Sequence, residues 1–119
     1  MITVYTLAQC STCKAAVKWL QAHDIPFRER AIRETPPSGA ELATMLTAQN
    51  GELRKLFNTS GRDYREQQLA AILPTLTIRE ALQLLESNGN LVKRPFVIGP
   101  GVALVGFNAV KWKQALVKK

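Results

Sequence analysis

At 119 residues, 46% of them hydrophobic, the chain has the size and apolar content of one domain with a single core, which excludes disorder. No apolar run approaches the ~18 residues of a membrane span, and no basic start followed by a greasy segment marks a secretory signal, so a cytoplasmic protein is expected. The net charge of +7 is gathered late: no carboxylate follows Glu86, whereas Lys93, Arg94, Lys111, Lys113, Lys118 and Lys119 do. That balance favours an anionic partner, while scattered aromatics and the lack of a Cys/His finger give no support to direct DNA binding.

Ile2, Val4 and Leu7, with Tyr5 and the threonines, predict a first strand. From Lys14 to Ile25 there is no Gly or Pro, and Ala16, Trp19, Leu20 and His23 recur at helical spacing. Ser11 or Thr12 is the expected cap of this helix. Both cysteines, Cys10 and Cys13, sit at the strand-to-helix join. A helix N-terminus offers free N–H groups and a partial positive charge, which favours a thiolate over a thiol. An ordinary thiol has a pKa of about 8.5, and each unit of lowering takes about 1.4 kcal/mol. Cys10, ahead of the helix, is the expected exposed nucleophile, and Cys13, in the first turn, the resolving thiol within disulfide reach. Inert buried cysteines and half of a zinc site are the alternatives. Zinc is disfavoured by counting, because the chain has no other cysteine and one histidine, His23, expected at the helix end without a catalytic task. No metal is expected.

Ile25–Ile32 reads as a second strand with Pro26 at its start, making a right-handed parallel βαβ unit. Pro36 and Pro37 then break the pattern. Ser38 and Glu41 form a capping box before Leu42, Met45 and Leu46, and Asn50-Gly51 ends that helix. Residues 52–57 predict a short helical piece, and Asn58 to Gly61 a polar turn. Arg62–Leu73, with Tyr64, Leu69, Ala70 and Leu73, reads as one helix or two short ones, stopped by Pro74. Thr77 and Glu80 form a second capping box, with Ile78, Ala81, Leu82 and Leu85 as a buried stripe and Asn88-Gly89 as its close. Pro95 to Ile98, the Gly99-Pro100-Gly101 turn and Val102 to Val105 predict a β-hairpin. Asn108 caps a last helix with Val110, Trp112, Ala115 and Leu116 on its apolar side and lysines in its final turn. The sum is a single α/β domain over 1–119. Its thioredoxin-like parts, 1–33 and 91–119, form a four-stranded mixed sheet (βαβ … ββα) around an all-helical insert at about 34–90.

The ordered motifs Cys10-Ser11-Thr12-Cys13, Glu34-Thr35-Pro36-Pro37-Ser38, Phe57-Asn58-Thr59-Ser60-Gly61, Tyr64-Arg65-Glu66, Lys93-Arg94-Pro95 and Val105-Gly106-Phe107 resemble the arsenate reductase-like family, which also contains the Spx-type redox regulators. The resemblance spans nearly the whole chain. It implies a thioredoxin-like fold with a helical insert and a cis peptide bond before Pro95. It matches Cys10 to the nucleophile of the glutathione- and glutaredoxin-dependent arsenate reductases and Arg94 to an oxyanion-holding arginine. Thr6 stands where those reductases carry a histidine, and Asn58 and Gly106 fall near two further arginine positions, so efficient arsenate reduction is not expected. Cys13 resembles instead the second cysteine of the Spx branch, in which disulfide formation switches binding to the RNA polymerase α subunit, and Gly51 lies near that branch's contact glycine.

The expectation is a thiol–disulfide oxidoreductase, monomeric and without a bound cofactor. Cys10, Cys13 and Arg94 would be catalytic and Thr6, Ser11, Thr12, Asn58 and Pro95 substrate-binding. The substrate would be a small thiol or oxyanion, and glutathione, glutaredoxin or thioredoxin the electron donor. The rival expectation is a redox-sensing transcriptional regulator that binds the RNA polymerase α subunit.

Overall fold

In the computed structural model, which describes residues 1–117, the chain opens with strand β1 (Ile2–Thr6), helix α1 (Ser11–Ala22) and strand β2 (Phe27–Ala31). β1 and β2 pair in parallel from Ile2 opposite Phe27 to Thr6 opposite Ala31, as a βαβ unit requires. β2 starts later than the expected Ile25. The Ile25 N–H is spent on the Leu20 carbonyl at 3.0 Å to close the helix end, and Pro26 has no N–H to give.

Helical segments follow: α2 (Gly39–Ala48), a 3-10 turn at Leu53–Leu56, α3 (Arg62–Glu66), α4 (Leu69–Ile72), a 3-10 turn at Leu73–Thr75, α5 (Ile78–Ser87) and a 3-10 turn at Gly89–Leu91. Both capping boxes are formed, Ser38 with Glu41 and Thr77 with Glu80. Of the two readings of Arg62–Leu73, one helix or two short ones, the second is what forms: α3 and α4 are separated where Gln68 turns left-handed, at φ 54°. The α-helix ends at Ile72, ahead of Pro74, which itself sits in the 3-10 turn that follows, where a missing N–H is permitted. Ile78 is 55% exposed and lies outside the buried stripe, leaving Ala81 and Leu85 to carry it.

Strands β3 (Phe96–Gly99) and β4 (Val102–Val105) form the expected hairpin, and helix α6 (Ala109–Leu116) is capped by the Asn108 side chain on the Lys111 N–H. Within α6, Trp112 is buried but Val110 is 68% exposed, so the apolar side is narrower than the sequence suggests. Lys113 occupies the last turn of α6, whereas Lys118 and Lys119 lie outside the described residues.

The sheet order is β2-β1-β3-β4, with β3 antiparallel to both its neighbours. Alternation along the strands feeds two cores. Val4 and Val97 face α1 and α6, packing with Ala16, Leu20 and Trp112. Tyr5, Phe96 and Ile98 face the helical segments, packing with Leu42, Met45, Phe57 and Leu85. Tyr5 and Phe96, paired across the two strands, meet edge-on at 5.7 Å. The Tyr5 hydroxyl donates to Glu41 Oε1 at 2.7 Å, so the capping carboxylate of α2 also ties that helix to the central strand.

Candidate active site

The site is built where β1 ends. Cys10 N–H donates to the Leu7 carbonyl at 3.0 Å, closing the turn that sets α1 off from the strand. The cap of α1 is Cys10 itself, in place of the expected Ser11 or Thr12: its sulfur accepts the Cys13 backbone N–H at 3.3 Å. Cys10 is half-buried and Cys13 is buried, both as free thiols. Their environments push them apart. Burial opposes ionisation of Cys10, but hydrogen bonds from the Cys13 side chain and backbone and the neighbouring Arg94 guanidinium outweigh it, so its pKa lies below the ordinary thiol value. Cys13 is pushed up to about 12, first by burial and then by its hydrogen bond and charge repulsion with Cys10. Ionisation is thus made easier at Cys10 and harder at Cys13 beside it.

Arg94 reaches Cys10 because the segment before β3 is fastened to the helical side. Asn58 N–H donates to the Leu91 carbonyl at 2.7 Å, Lys93 N–H to the Leu56 carbonyl at 2.8 Å, and Phe57 and Val92 form an antiparallel bridge. The Arg94–Pro95 peptide bond is cis, as the family resemblance implies, and the Pro95 carbonyl accepts the Gly106 N–H at 2.9 Å. The Trp112 indole N–H then donates to the Gly106 carbonyl, tying α6 to the same corner.

The other sequence-selected residues do not share one cavity. Thr6, Ser11 and Cys13 line an apolar groove of about 550 Å³ with Leu7, Val17 and Glu29, and the buried Thr6 hydroxyl donates to Glu29 Oε2 at 2.6 Å. Ser11 and Thr12 are exposed on the first turn of α1. Asn58 lines a separate polar cleft that it shares with Arg94. His23 is exposed at the far end of α1, stacked on Trp19 with ring centroids 4.0 Å apart, and does not join the cysteines.

Sequence reasoning missed the rest of that polar cleft. Arg33, Arg62, Asp63 and Asn90 line it with Asn58 and Arg94, drawn from three segments, around positions 33, 58–63 and 90–94, that no sequence motif joins. It also missed Glu29, which reads from sequence as one charge on an edge strand.

The match to known proteins agrees with this geometry. The ArsC family model matches residues 5–115, and the chain belongs to the ArsC family. Within it, the chain is 38% identical over 113 residues to the uncharacterized protein YusI of Bacillus subtilis, covering 95% of this chain and 96% of that one. It is 34% identical over 108 residues to the global transcriptional regulator Spx of Enterococcus faecalis, covering 91% and 80% respectively. The crystal structure of a possible arsenate reductase from Streptococcus mutans UA159 superposes with a TM-score of 0.85 at 34% identity over 92% of each chain. The fold is therefore the thioredoxin-like α/β fold of that family. No helix among the described residues is long and apolar enough to cross a membrane.

Proposed function

We propose that the protein is a thiol–disulfide oxidoreductase in which Cys10 is the nucleophile and Cys13 the resolving thiol. The observation that carries this reading is the Cys10 sulfur, which accepts the Cys13 N–H at 3.3 Å and stands beside the Arg94 guanidinium. The Cys10 thiolate attacks a disulfide R–S–S–R′, forming Cys10–S–S–R and expelling R′S⁻. Cys13 then gives its proton to R′S⁻, forming R′SH, and attacks the Cys10 sulfur, leaving the Cys10–Cys13 disulfide and RS⁻, which takes a proton from water. Two equivalents of glutathione, or the dithiol of a glutaredoxin or thioredoxin, return the pair to thiols. Arg94 holds the thiolate and the anionic leaving group. Pro95 presents its backbone to an extended thiol substrate, while Thr6, Ser11, Thr12 and Asn58 line its approach. Arsenate is a poor substrate in this reading, since Thr6, Asn58 and Gly106 supply no cation to a tetrahedral dianion.

The test is trapping. Cys13→Ser should accumulate a mixed disulfide with glutathione after exposure to glutathione disulfide, read by intact mass, while Cys10→Ser should form none. A mixed disulfide at Cys13 in the Cys10→Ser protein would reverse the roles.

A second reading, a redox-responsive transcriptional regulator, is favoured by the relatives named Spx and by Gly51. This residue is exposed at the end of α2 with φ 77° and open space around the position of a side chain. In that reading the Cys10–Cys13 disulfide is the switch and the RNA polymerase α subunit the partner. Capture of the α C-terminal domain by only one redox form, with no turnover of glutathione-linked disulfides, would select it.

A further inference from the structure

The polar cleft on the Asn58 side of Arg94 is a cavity of about 340 Å³ lined by Arg33, Asn58, Gly61, Arg62, Asp63, Asn90 and Arg94. Three guanidinium groups meet one carboxylate there, an excess of positive charge in a concave site. The carboxylate is already committed. Asp63 accepts the Asn88 amide at 3.0 Å, and that bond, with Asn90, Arg62 and Arg33 nearby, holds it below the usual carboxylate range. Arg33 Nε donates to the Asn90 side-chain oxygen, which fixes its fork at the cleft wall. Arg62 has one long contact, 3.6 Å to Glu66, with both side chains mostly exposed. Arg94 Nη1 is buried and has no hydrogen-bond partner among the described residues. Buried donors of this kind are normally met by an acceptor, and a forked guanidinium matches a carboxylate.

Arg94 belongs to this cleft and also stands beside the Cys10 sulfur. We infer that the cleft is a carboxylate-binding subsite, in which Arg33 and Arg62, with Arg94 Nη1, hold the acidic arm of a low-molecular-weight thiol or disulfide whose sulfur lies at Cys10. This inference rests on the oxidoreductase reading for its reaction but not for its binding. A substrate held at both points reacts faster because its sulfur is presented to the thiolate. The subsite thereby selects anionic over neutral and cationic disulfides. The glycine at position 61 is part of the construction: a Cβ there would come within 2.7 Å of the Asn58 amide nitrogen and displace that side chain at the cleft wall.

The experiment uses the full chain carrying Cys13→Ser and follows mixed-disulfide formation with glutathione disulfide (a dianion), hydroxyethyl disulfide (neutral) and cystamine (a dication). Glutathione disulfide should react fastest. Arg33→Gln and Arg62→Gln should each slow it roughly tenfold, with the hydroxyethyl disulfide rate held within about twofold. Both arginines are exposed, so these variants should fold. Equal rates for the three disulfides, or equal loss on all three in the arginine variants, would overturn the subsite while leaving Cys10 as nucleophile. A binding measurement separates the opposite failure. S-methylglutathione, which cannot exchange, should shift the Arg33 and Arg62 Nε–H signals in an NMR spectrum of Cys10→Ser protein. If it does so while no disulfide reacts with Cys10 in the Cys13→Ser protein, the oxidoreductase reading falls and the subsite stands. If it leaves both signals unmoved, the subsite falls.

Discussion

The backbone N–H of Cys13 donates to the sulfur of Cys10 at 3.3 Å, so the residue expected to resolve the reaction also activates the residue that begins it. The donor is a main-chain group, present whatever side chain stands at 13. Cys13→Ser therefore keeps this part of the activation, while the hydrogen bond of the Cys13 thiol is replaced by that of a hydroxyl. Removing the N–H takes a substitution that alters the backbone.

Arg94 acts on Cys10 through charge, and its removal has a direction that can be checked. Arg94→Ala should raise the Cys10 pKa towards the ordinary thiol value, since the positive neighbour that favours the anion is gone. At pH 7 the alkylation rate of Cys10 should fall roughly three- to tenfold. Arg94→Lys should restore part of that rate, because the charge returns without the fork. An unchanged pH profile in Arg94→Ala would leave the side-chain and backbone hydrogen bonds from Cys13 as the whole cause.

The bond from Tyr5 to Glu41 couples the central strand to α2, and it makes stability fall at high pH. Burial and the Glu41 carboxylate raise the Tyr5 pKa from an ordinary 10.0 to about 12. The folded protein thus keeps the phenolic proton after the unfolded chain has begun to lose it. The resulting stabilisation is complete below pH 10 and is lost as pH rises towards 12. Tyr5→Phe should cost about 1–2 kcal/mol at neutral pH, read as a lower urea midpoint. It should also flatten the loss of stability between pH 10 and 12 compared with the wild type.

Two glycines should respond to alanine differently. At Gly89 an added Cβ would stand 1.9 Å from the Ile32 carbonyl oxygen, a backbone atom that cannot step aside cheaply. Gly89→Ala should cost about 2–4 kcal/mol of stability. At Gly51 nothing lies within 4 Å and only the left-handed φ of 77° resists substitution, so Gly51→Ala should cost about 1 kcal/mol. Urea denaturation of the two variants beside the wild type checks both.

Local chemistry made much of the fold legible. The capping boxes at Ser38 and Thr77, the Asn108 cap and the hairpin around Gly99-Pro100-Gly101 are set by residues within a few positions of one another, and all four form. The cap of α1 was not legible, because hydroxyls are the usual caps and two of them follow Cys10; a sulfur takes the role only because the turn at Leu7 aims it at the Cys13 N–H. Two short helices was one of the two readings of Arg62–Leu73, but the position of the break was not legible: Gln68 carries no Gly or Pro signal, and Tyr64, Leu69 and Leu73 all pack into one core around it. The arginine cleft is a matter of topology alone. Arg33 follows β2, Arg62 opens α3 and Arg94 precedes β3, and only the fold brings them to one cavity.

The central claim is that Cys10 ionises at a lower pH than an ordinary thiol and Cys13 at a higher one. It is tested most directly by the rate of iodoacetamide alkylation against pH, with the modified residue located by mass spectrometry. The predicted result is a Cys10 rate that reaches its plateau below the ordinary thiol pKa of about 8.5, with Cys13 unmodified until far more alkaline pH. A Cys10 rate that rises only through about pH 8.5, as for an unperturbed thiol, would contradict it.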